Sequence, residues 1–276
     1  MEETNDKFQT KKSLGQHFLN SPVVSEWMCE AAEIASNDKV VEIGPGTGAL
    51  TSELLKRGAV VTALEADTRA IEVLQKNFAS EIANKQLVVI HQDVRTLDLG
   101  AITDLKDHEF KVVSNIPYYL SGMLFRTLLQ TPLQPSTLVY LVQKEVAKRI
   151  TADISRGEKE SLLSLSVKAY GKPVYVRTVT RGHFTPPPKV DSAIIAVRNV
   201  SRDLFTHISE ADFFKVIHLG FGQKRKQLAG NLAKEYDREV ITHTLSTLNL
   251  LVSTRAEDVP IEKWPTLVEK IVSTGS

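Results

Sequence analysis

The stretch SNIPYYL, residues 114–120, sets an amide, a proline and two tyrosines directly after the apolar run FKVV. A strand-ending turn accounts for Pro117 but not for Asn115 and Tyr118 on either side of it. These residue types suit one kind of chemistry. An exocyclic amine on a nucleobase is a poor nucleophile, because its lone pair is delocalised into the ring. Two acceptors aimed at its two N–H groups draw the nitrogen towards tetrahedral geometry. The Asn115 side-chain oxygen is one such acceptor. The main-chain carbonyl of Ile116 is the other, because Pro117 stiffens the turn and presents that carbonyl outward. Tyr118 offers a flat face, and stacking is worth about 1–3 kcal/mol per base. Transfer to an amine held this way depends on positioning and preorganised dipoles and needs no strong base. In isolation Asn-x-Pro-Tyr is usually a plain turn, so its meaning rests on its surroundings.

The second group of candidates is the loop EIGPGTGAL, with Gly44, Gly46 and Gly48 in a Gly-x-Gly-x-Gly pattern. Glycine lets backbone approach a ligand closely and takes positive φ. The motif alone is weak, and a tight strand-to-helix turn explains it equally well. Two later acids add weight. Glu65 ends the next strand at the distance where a carboxylate grips ribose hydroxyls in nucleotide-binding βαβ folds. Asp93, in HQDV, is placed to accept from an adenine amino group. The glycine spacing is shorter than the Gly-x-Gly-x-x-Gly of dinucleotide sites, which favours a cofactor without a pyrophosphate. S-adenosyl-L-methionine fits: it carries a sulfonium and an amino-acid end. Glu42 beside the loop is either a partner for that positive charge or a strand-end acid facing solvent.

These residues need a frame to bring them together. Apolar runs at 39–43, 59–65, 86–92, 110–115 and 136–143 read as strands, with helical patterns between them. Such alternation implies βαβ units and a parallel sheet. Loops at the carboxyl ends of its strands converge on one crevice. Ser121 is a plausible N-cap for the helix SGMLFRTLLQ. The runs at 173–179 and 192–199 have no helix between them and read as an antiparallel pair joined by TRGHFTPPPKVD. Five parallel strands closed by an antiparallel hairpin are the architecture of Rossmann-like class I methyltransferases. After about residue 203 the strand signals stop, and four helical patterns follow, among them KRKQLAGNLAKEY. The expected division is a methyltransferase domain over 1–203 and a small all-helical domain over 204–276.

The net charge of +1 excludes a uniformly basic protein, but the charges are segregated. No acid lies between Ser161 and Val190 or between Phe213 and Lys234, and each tract carries five cations. Such tracts form either a positive face for a polyanion or solvated surfaces of no consequence. The single cysteine, Cys29, rules out an internal disulfide and fits a reducing compartment. Cys29 and Trp27, in a helical stretch, read as core. The histidines and cysteine form no metal-ligand pattern, so no metal is expected. No apolar run approaches the ~20 residues that span a bilayer, and MEETNDKFQTKK lacks the apolar segment of a secretory signal. A cytoplasmic, membrane-free monomer is expected.

Taken together, KKSLGQHFL, EIGPGTGALT, HQDV, SNIPYYLS, QKEVAKRI, FTPPPKVDSA and KRKQLAGNL resemble the KsgA/RsmA ribosomal RNA adenine dimethyltransferases across essentially the whole chain. The resemblance implies dimethylation of two adjacent adenosines near the 3′ end of small-subunit rRNA within a pre-30S particle. It implies cofactor contacts from His17, Leu19, Gly44, Gly46, Gly48, Glu65, Asp93 and Asn115. His17 departs from the asparagine common there, and both side chains can donate or accept a hydrogen bond. Phe184 looks like a second aromatic wall for the target base, or a core phenylalanine before a proline loop. Arg177, Arg181, Lys189, Lys224, Arg225 and Lys226 become RNA-backbone contacts, and KKSLGQHFL a lid over the site. Other readings are the related large-subunit enzymes of macrolide resistance and a non-catalytic ribosome assembly factor. A small-molecule methyltransferase would not need the basic helical appendage.

Overall fold

The computed structural model describes residues 17–102 and 104–274. The segment 11–16 of the expected lid lies outside the described residues. In chain order the elements are β1 (Phe18–Leu19), α1 (Pro22–Ala31), β2 (Lys39–Ile43), α2 (Ala49–Lys56), β3 (Val60–Glu65), α3 (Thr68–Asn77), α4 (Ala79–Ala83), β4 (Leu87–His91), β5 (Phe110–Asn115), α5 (Ser121–Gln130), β6 (Thr137–Gln143) and α6 (Lys144–Ile150). They continue with α7 (Leu162–Lys168), β7 (Lys172–Val179), β8 (Phe184–Thr185), β9 (Ser192–Arg198), α8 (Glu210–Gly220), α9 (Leu228–Leu232), α10 (Arg238–Thr247) and α11 (Trp264–Ser273).

The seven-stranded sheet runs β4-β3-β2-β5-β6-β9-β7. The first five strands in that order are parallel, and β9 and β7 are antiparallel additions at one edge. This is the expected Rossmann-like methyltransferase sheet. Strand order reverses between β2 and β5, and the crevice for a ligand opens there, outside the carboxyl ends. The strands read as continuous apolar runs because both faces are covered. Val112, Leu138, Tyr140 and Val142 face one core cluster, while Val113, Val139 and Leu141 face the other. Gly58, at φ +81°, takes the left-handed turn that ends α2.

The helical region after residue 203 is present, and it does not stand apart. Phe213, Val216, Leu228 and Trp264 belong to the same core cluster as Phe125, Leu165 and Tyr170 of the sheet region. Trp264 is fully buried, and its indole N–H donates to the carbonyl of Val259 at 3.2 Å.

Several local readings are corrected. Ser121 is the first residue of α5, not its cap: its backbone is already helical at φ −52° and ψ −51°, and its hydroxyl donates to the Tyr118 carbonyl at 2.9 Å. The helical pattern between the strands at 59–65 and 86–92 is not one helix but breaks into α3 and α4 at Phe78. The cations of KRK lie in a turn, and the helix starts only at Leu228. The side-chain amide of Asn231 donates to the carbonyls of Gly220 and Gln223 at 2.7 and 3.2 Å, which holds that turn in place of a helical turn. Cys29 is core, and burial pushes its thiol up to about 12, so it stays protonated and inert. Trp27 is only half-buried. A bulge between Tyr175 and Arg177 on edge strand β7 sets the Arg177 guanidinium 4.2 Å from the Trp27 ring centre.

Gly48 starts α2 at φ +87°, and an added Cβ would lie 2.5 Å from the Phe78 ring. Gly157, at φ +77°, has open space around it. Gly48→Ala is therefore expected to cost about 2–4 kcal/mol, combining left-handed strain with overpacking. Gly157→Ala should cost only the strain, about 1–2 kcal/mol. Urea denaturation of the two variants measures the difference.

Candidate active site

The crevice at the strand reversal is a cavity of about 450 Å³. Its lining includes His17, Phe18, Gly44, Gly46, Glu65, Asp67, Gln92, Asp93, Arg95 and the run Asn115–Leu120. Five segments distant in sequence thus meet: the start of the described chain, the glycine loop, the end of β3, the end of β4 and the NIPYY turn. Gly44 and Gly46 take φ of +67° and +56°. A Cβ on Gly44 would meet nothing within 4 Å, so this backbone borders open space in the cavity. Gly48 does not line the cavity. It packs against Phe78 and Leu74, so its role is helical geometry, which corrects the expected cofactor contact.

Glu65 is buried, and its carboxylate organises the loops. One oxygen accepts from the backbone N–H groups of Ala66 and Asp67, both at 2.9 Å, and the other from Gly46 at 3.1 Å. Three of roughly four acceptor positions are filled, leaving one for an outside donor. Glu42 is not beside the ligand space. It is 1% exposed and accepts from the Thr51 hydroxyl at 2.6 Å. Burial, partly offset by that hydrogen bond, pushes its carboxyl up to about 8. It is therefore protonated at neutral pH and offers no negative charge to a cation.

Asp93 caps a short turn by accepting from the Arg95 N–H at 2.9 Å. Its carboxylate also receives the Arg95 guanidinium, with Nε at 3.0 Å from both oxygens and an Nη at 2.5 Å. Those hydrogen bonds hold the carboxyl down at about 2, so it is ionised at all physiological pH. An outside amino group reaches this carboxylate when Arg95 yields a lone pair.

At the NIPYY turn the Asn115 amide N–H donates to the His17 carbonyl at 3.2 Å. That bond fixes the amide orientation and leaves the side-chain oxygen as the open acceptor. The Tyr118 hydroxyl pairs with the Ser192 hydroxyl at 2.6 Å. Burial raises the phenol above its usual range, partly offset by Ser192, so it remains neutral. The His17 ring stacks on Tyr118 with centres 5.6 Å apart and planes 28° from parallel. His17 Nδ1 is 2.8 Å from the Pro186 carbonyl, which requires the proton on Nδ1.

Two expected residues lie off the cavity. Leu19 and Phe184 are 8% and 2% exposed, and both sit in the core under α1. Their backbones pair in a two-stranded antiparallel ribbon, β1 with β8, which turns both side chains inward. Phe184 is therefore a core residue in this structure, off the cavity lining. Phe18, which alternates with Leu19 along β1, faces the cavity in its place. Phe18, Gln92, Arg95 and Ser192 escaped the sequence reading; only strict alternation along β1 could have pointed to Phe18. Arg177, Arg181, Lys189, Lys224, Arg225 and Lys226 are all exposed, the first three on or near the β7–β9 connection and the others on the turn before α9. Among the described residues no group of His, Cys, Asp and Glu could hold a metal ion, and no helix is long and apolar enough to cross a membrane.

The family model for ribosomal RNA adenine dimethylase matches residues 7–272. A Dehalococcoides mccartyi protein named ribosomal RNA small subunit methyltransferase A is 40% identical over 261 residues, covering 94% of this chain and 87% of the relative. A Fusobacterium nucleatum protein of the same name is 34% identical over 266 residues, covering 95% and 98%. Among solved structures, a dimethyladenosine transferase from Plasmodium falciparum is similar with a TM-score of 0.76 at 27% identity, covering 91% of this chain and 96% of that one. The 23S rRNA methyltransferase ErmE gives a TM-score of 0.73 at 25% identity, covering 92% and 99%.

The raised carboxyl of Glu42 has a consequence for stability. A buried acid whose folded value exceeds its unfolded value costs nothing below the unfolded value, about 4.3. The stability it permits is lost as pH climbs towards the folded value of about 8. Glu42→Gln removes this dependence. Relative to wild type, the variant should gain about 3–5 kcal/mol between pH 5 and pH 9 in urea unfolding. Parallel curves for the two proteins would show that Glu42 ionises normally.

Proposed function

The chain belongs to the ribosomal RNA adenine dimethylase family, and on that footing we propose that it dimethylates the N6 amines of two adjacent adenosines near the 3′ end of small-subunit rRNA. S-adenosyl-L-methionine is the proposed donor and, when bound, supplies an electrophilic methyl group. The observation that carries the reading is the meeting of Asn115, with its side-chain oxygen open, and the glycine loop on one cavity.

In this reading Gly44 and Gly46 border the cofactor, and the open acceptor position of Glu65 takes a ribose hydroxyl. Asp93 takes the adenine amino group of the cofactor as Arg95 turns aside. The Asn115 side-chain oxygen and the Ile116 carbonyl accept from the target amine and hold its lone pair towards the donor. Tyr118 carries the target base on its ring, with Ser192 fixing the ring's tilt. His17 holds the opposite face of that ring and ties the NIPYY turn to the Pro186 loop. The exposed cations on the β7–β9 connection and before α9 contact RNA backbone. The protein works as a cytoplasmic monomer on a pre-30S particle, through the sheet domain at 1–203 and the helical unit at 204–276.

The likeness to a 23S rRNA methyltransferase supports a second reading, in which the large subunit is the substrate. The higher identity to proteins named for the small subunit favours the first. Labelled methyl transfer to under-methylated small subunits, with large subunits in parallel, separates them. Label is expected in small-subunit RNA as dimethyladenosine. Asn115→Ala should lower the rate about 10²–10³-fold, in line with loss of one preorganised hydrogen-bond partner. Tyr118→Phe should keep most activity and Tyr118→Ala should lose it, because the face carries the base and the hydroxyl serves Ser192. Label confined to the large subunit would sink the first reading. No label in either, with cofactor bound, would leave an assembly factor.

A further inference from the structure

A second cavity, of about 490 Å³, opens where the sheet region meets the helical unit. This lies within the roughly 300–1,000 Å³ of small-ligand sites. Its apolar interior includes Phe125, Leu163 and Phe221, and Arg126, Arg149, Lys224 and Lys226 also line it. Phe221 is backed by a stacked Trp264, with ring centres 6.3 Å apart and planes 24° from parallel.

The charge balance of this cavity is one-sided. Its acids are Glu160 and Glu257. Glu160 is buried and bound by Lys168 and the Ser164 hydroxyl, each at 2.5 Å. Glu257 has Arg255 at 3.9 Å. Arg149 shares Glu145 at 3.0 Å. Arg126, Lys224 and Lys226 are exposed and have no carboxylate partner among the described residues. The walls are also fixed to each other. The Glu160 N–H donates to the Glu257 carbonyl at 2.9 Å, Lys159 pairs with Asp258, and Asn231 holds the turn that carries Lys224 and Lys226.

The two cavities are lined by consecutive stretches of chain at the start of α5. Leu120 lines the first and Gly122 the second, and Tyr119, beside them, is 66% exposed. An apolar interior with an aromatic wall and unpaired cations suits a base with its phosphate. Sequence-specific RNA recognition works on such splayed, unstacked nucleotides. We propose that this second cavity receives one extruded nucleotide of the RNA substrate near the methylated position, its base against Phe221 and its phosphate against Arg126, Lys224 and Lys226. The proposal rests on the reading of the chain as an rRNA methyltransferase.

Gly122 provides the test. It lies in α5, an added Cβ there meets nothing within 4 Å, and replacing a helical glycine does not weaken the helix. Gly122→Phe should plug the cavity without touching the first one. The probe is under-methylated small subunits carrying 4-thiouridine, photocrosslinked to the full chain. In wild type, RNA crosslinks should map to the peptides around Leu163 and Phe221. Gly122→Phe should cut their yield at least ten-fold and raise KM for the subunits about ten-fold, with the Kd for S-adenosyl-L-methionine unchanged. If the thermal melt shows that Gly122→Phe is unfolded, Ser166→Trp plugs the same cavity from α7. Wild-type crosslink yield and KM in a folded, plugged variant would overturn the proposal. So would 4-thiouridine crosslinks that map elsewhere on the chain, with none at these two peptides. Methyl transfer by wild type is read in the same tubes: crosslinks without transfer would overturn the functional reading and support the cavity's.

Discussion

The carboxylate of Glu65 accepts N–H groups from Gly46, Ala66 and Asp67, and so joins the loops that follow β2 and β3. Without it, the glycine loop would have a buried N–H with no partner, and such a group costs about 1–3 kcal/mol. The parallel sheet delivers the ends of its strands to one edge but leaves their loops free to diverge. The buried carboxylate removes that freedom. Gly44 and Gly46 can then border the cavity with φ values that most residues avoid.

A second junction gathers the other side of the cavity around His17. Its carbonyl receives Asn115, its ring lies on Tyr118, and its Nδ1 meets the Pro186 carbonyl. One residue thus spans the NIPYY turn and the proline loop, 98 and 169 positions away. The backbone pairing of β1 with β8 runs alongside and buries Leu19 with Phe184. The His17 backbone that sets Asn115 in place is therefore anchored by the adjoining β1–β8 pairing and its buried side chains.

The sheet was legible because β2, β5 and β6 are covered on both faces, which leaves mostly apolar, β-branched runs in the sequence. Gly44, Gly46, Glu65, Asp93 and Asn115 were legible because strand ends in a parallel sheet converge. What stayed hidden depended on contacts between distant segments. Nothing near Phe184 announces that residues 18 and 19 pair with it, and the side each faces follows from that pairing. Gly48 reads like its neighbours in the motif until Phe78 is seen against it. Glu42 reads as a charge, and only its burial makes it neutral. The KRK turn carries a helical pattern, yet the Asn231 amide takes the carbonyls of Gly220 and Gln223 and stops the helix from starting earlier.

The shared core between sheet and helical unit bears on how a substrate is measured. Tyr170 contacts Phe205 and Phe214, and Trp264 lies in the same buried cluster as Phe125. The two parts share one buried cluster beside the second cavity, so the helical unit is not a separately cored appendage on a linker. The shared packing resists change in the span from the KRK turn to Asn115, like the jaws of a gauge. A flexible tether would accept many RNA shapes at some entropic cost. If the KRK turn and Asn115 both meet RNA as proposed, such a gauge selects backbones and targets at one separation, and part of the selectivity resides in a distance.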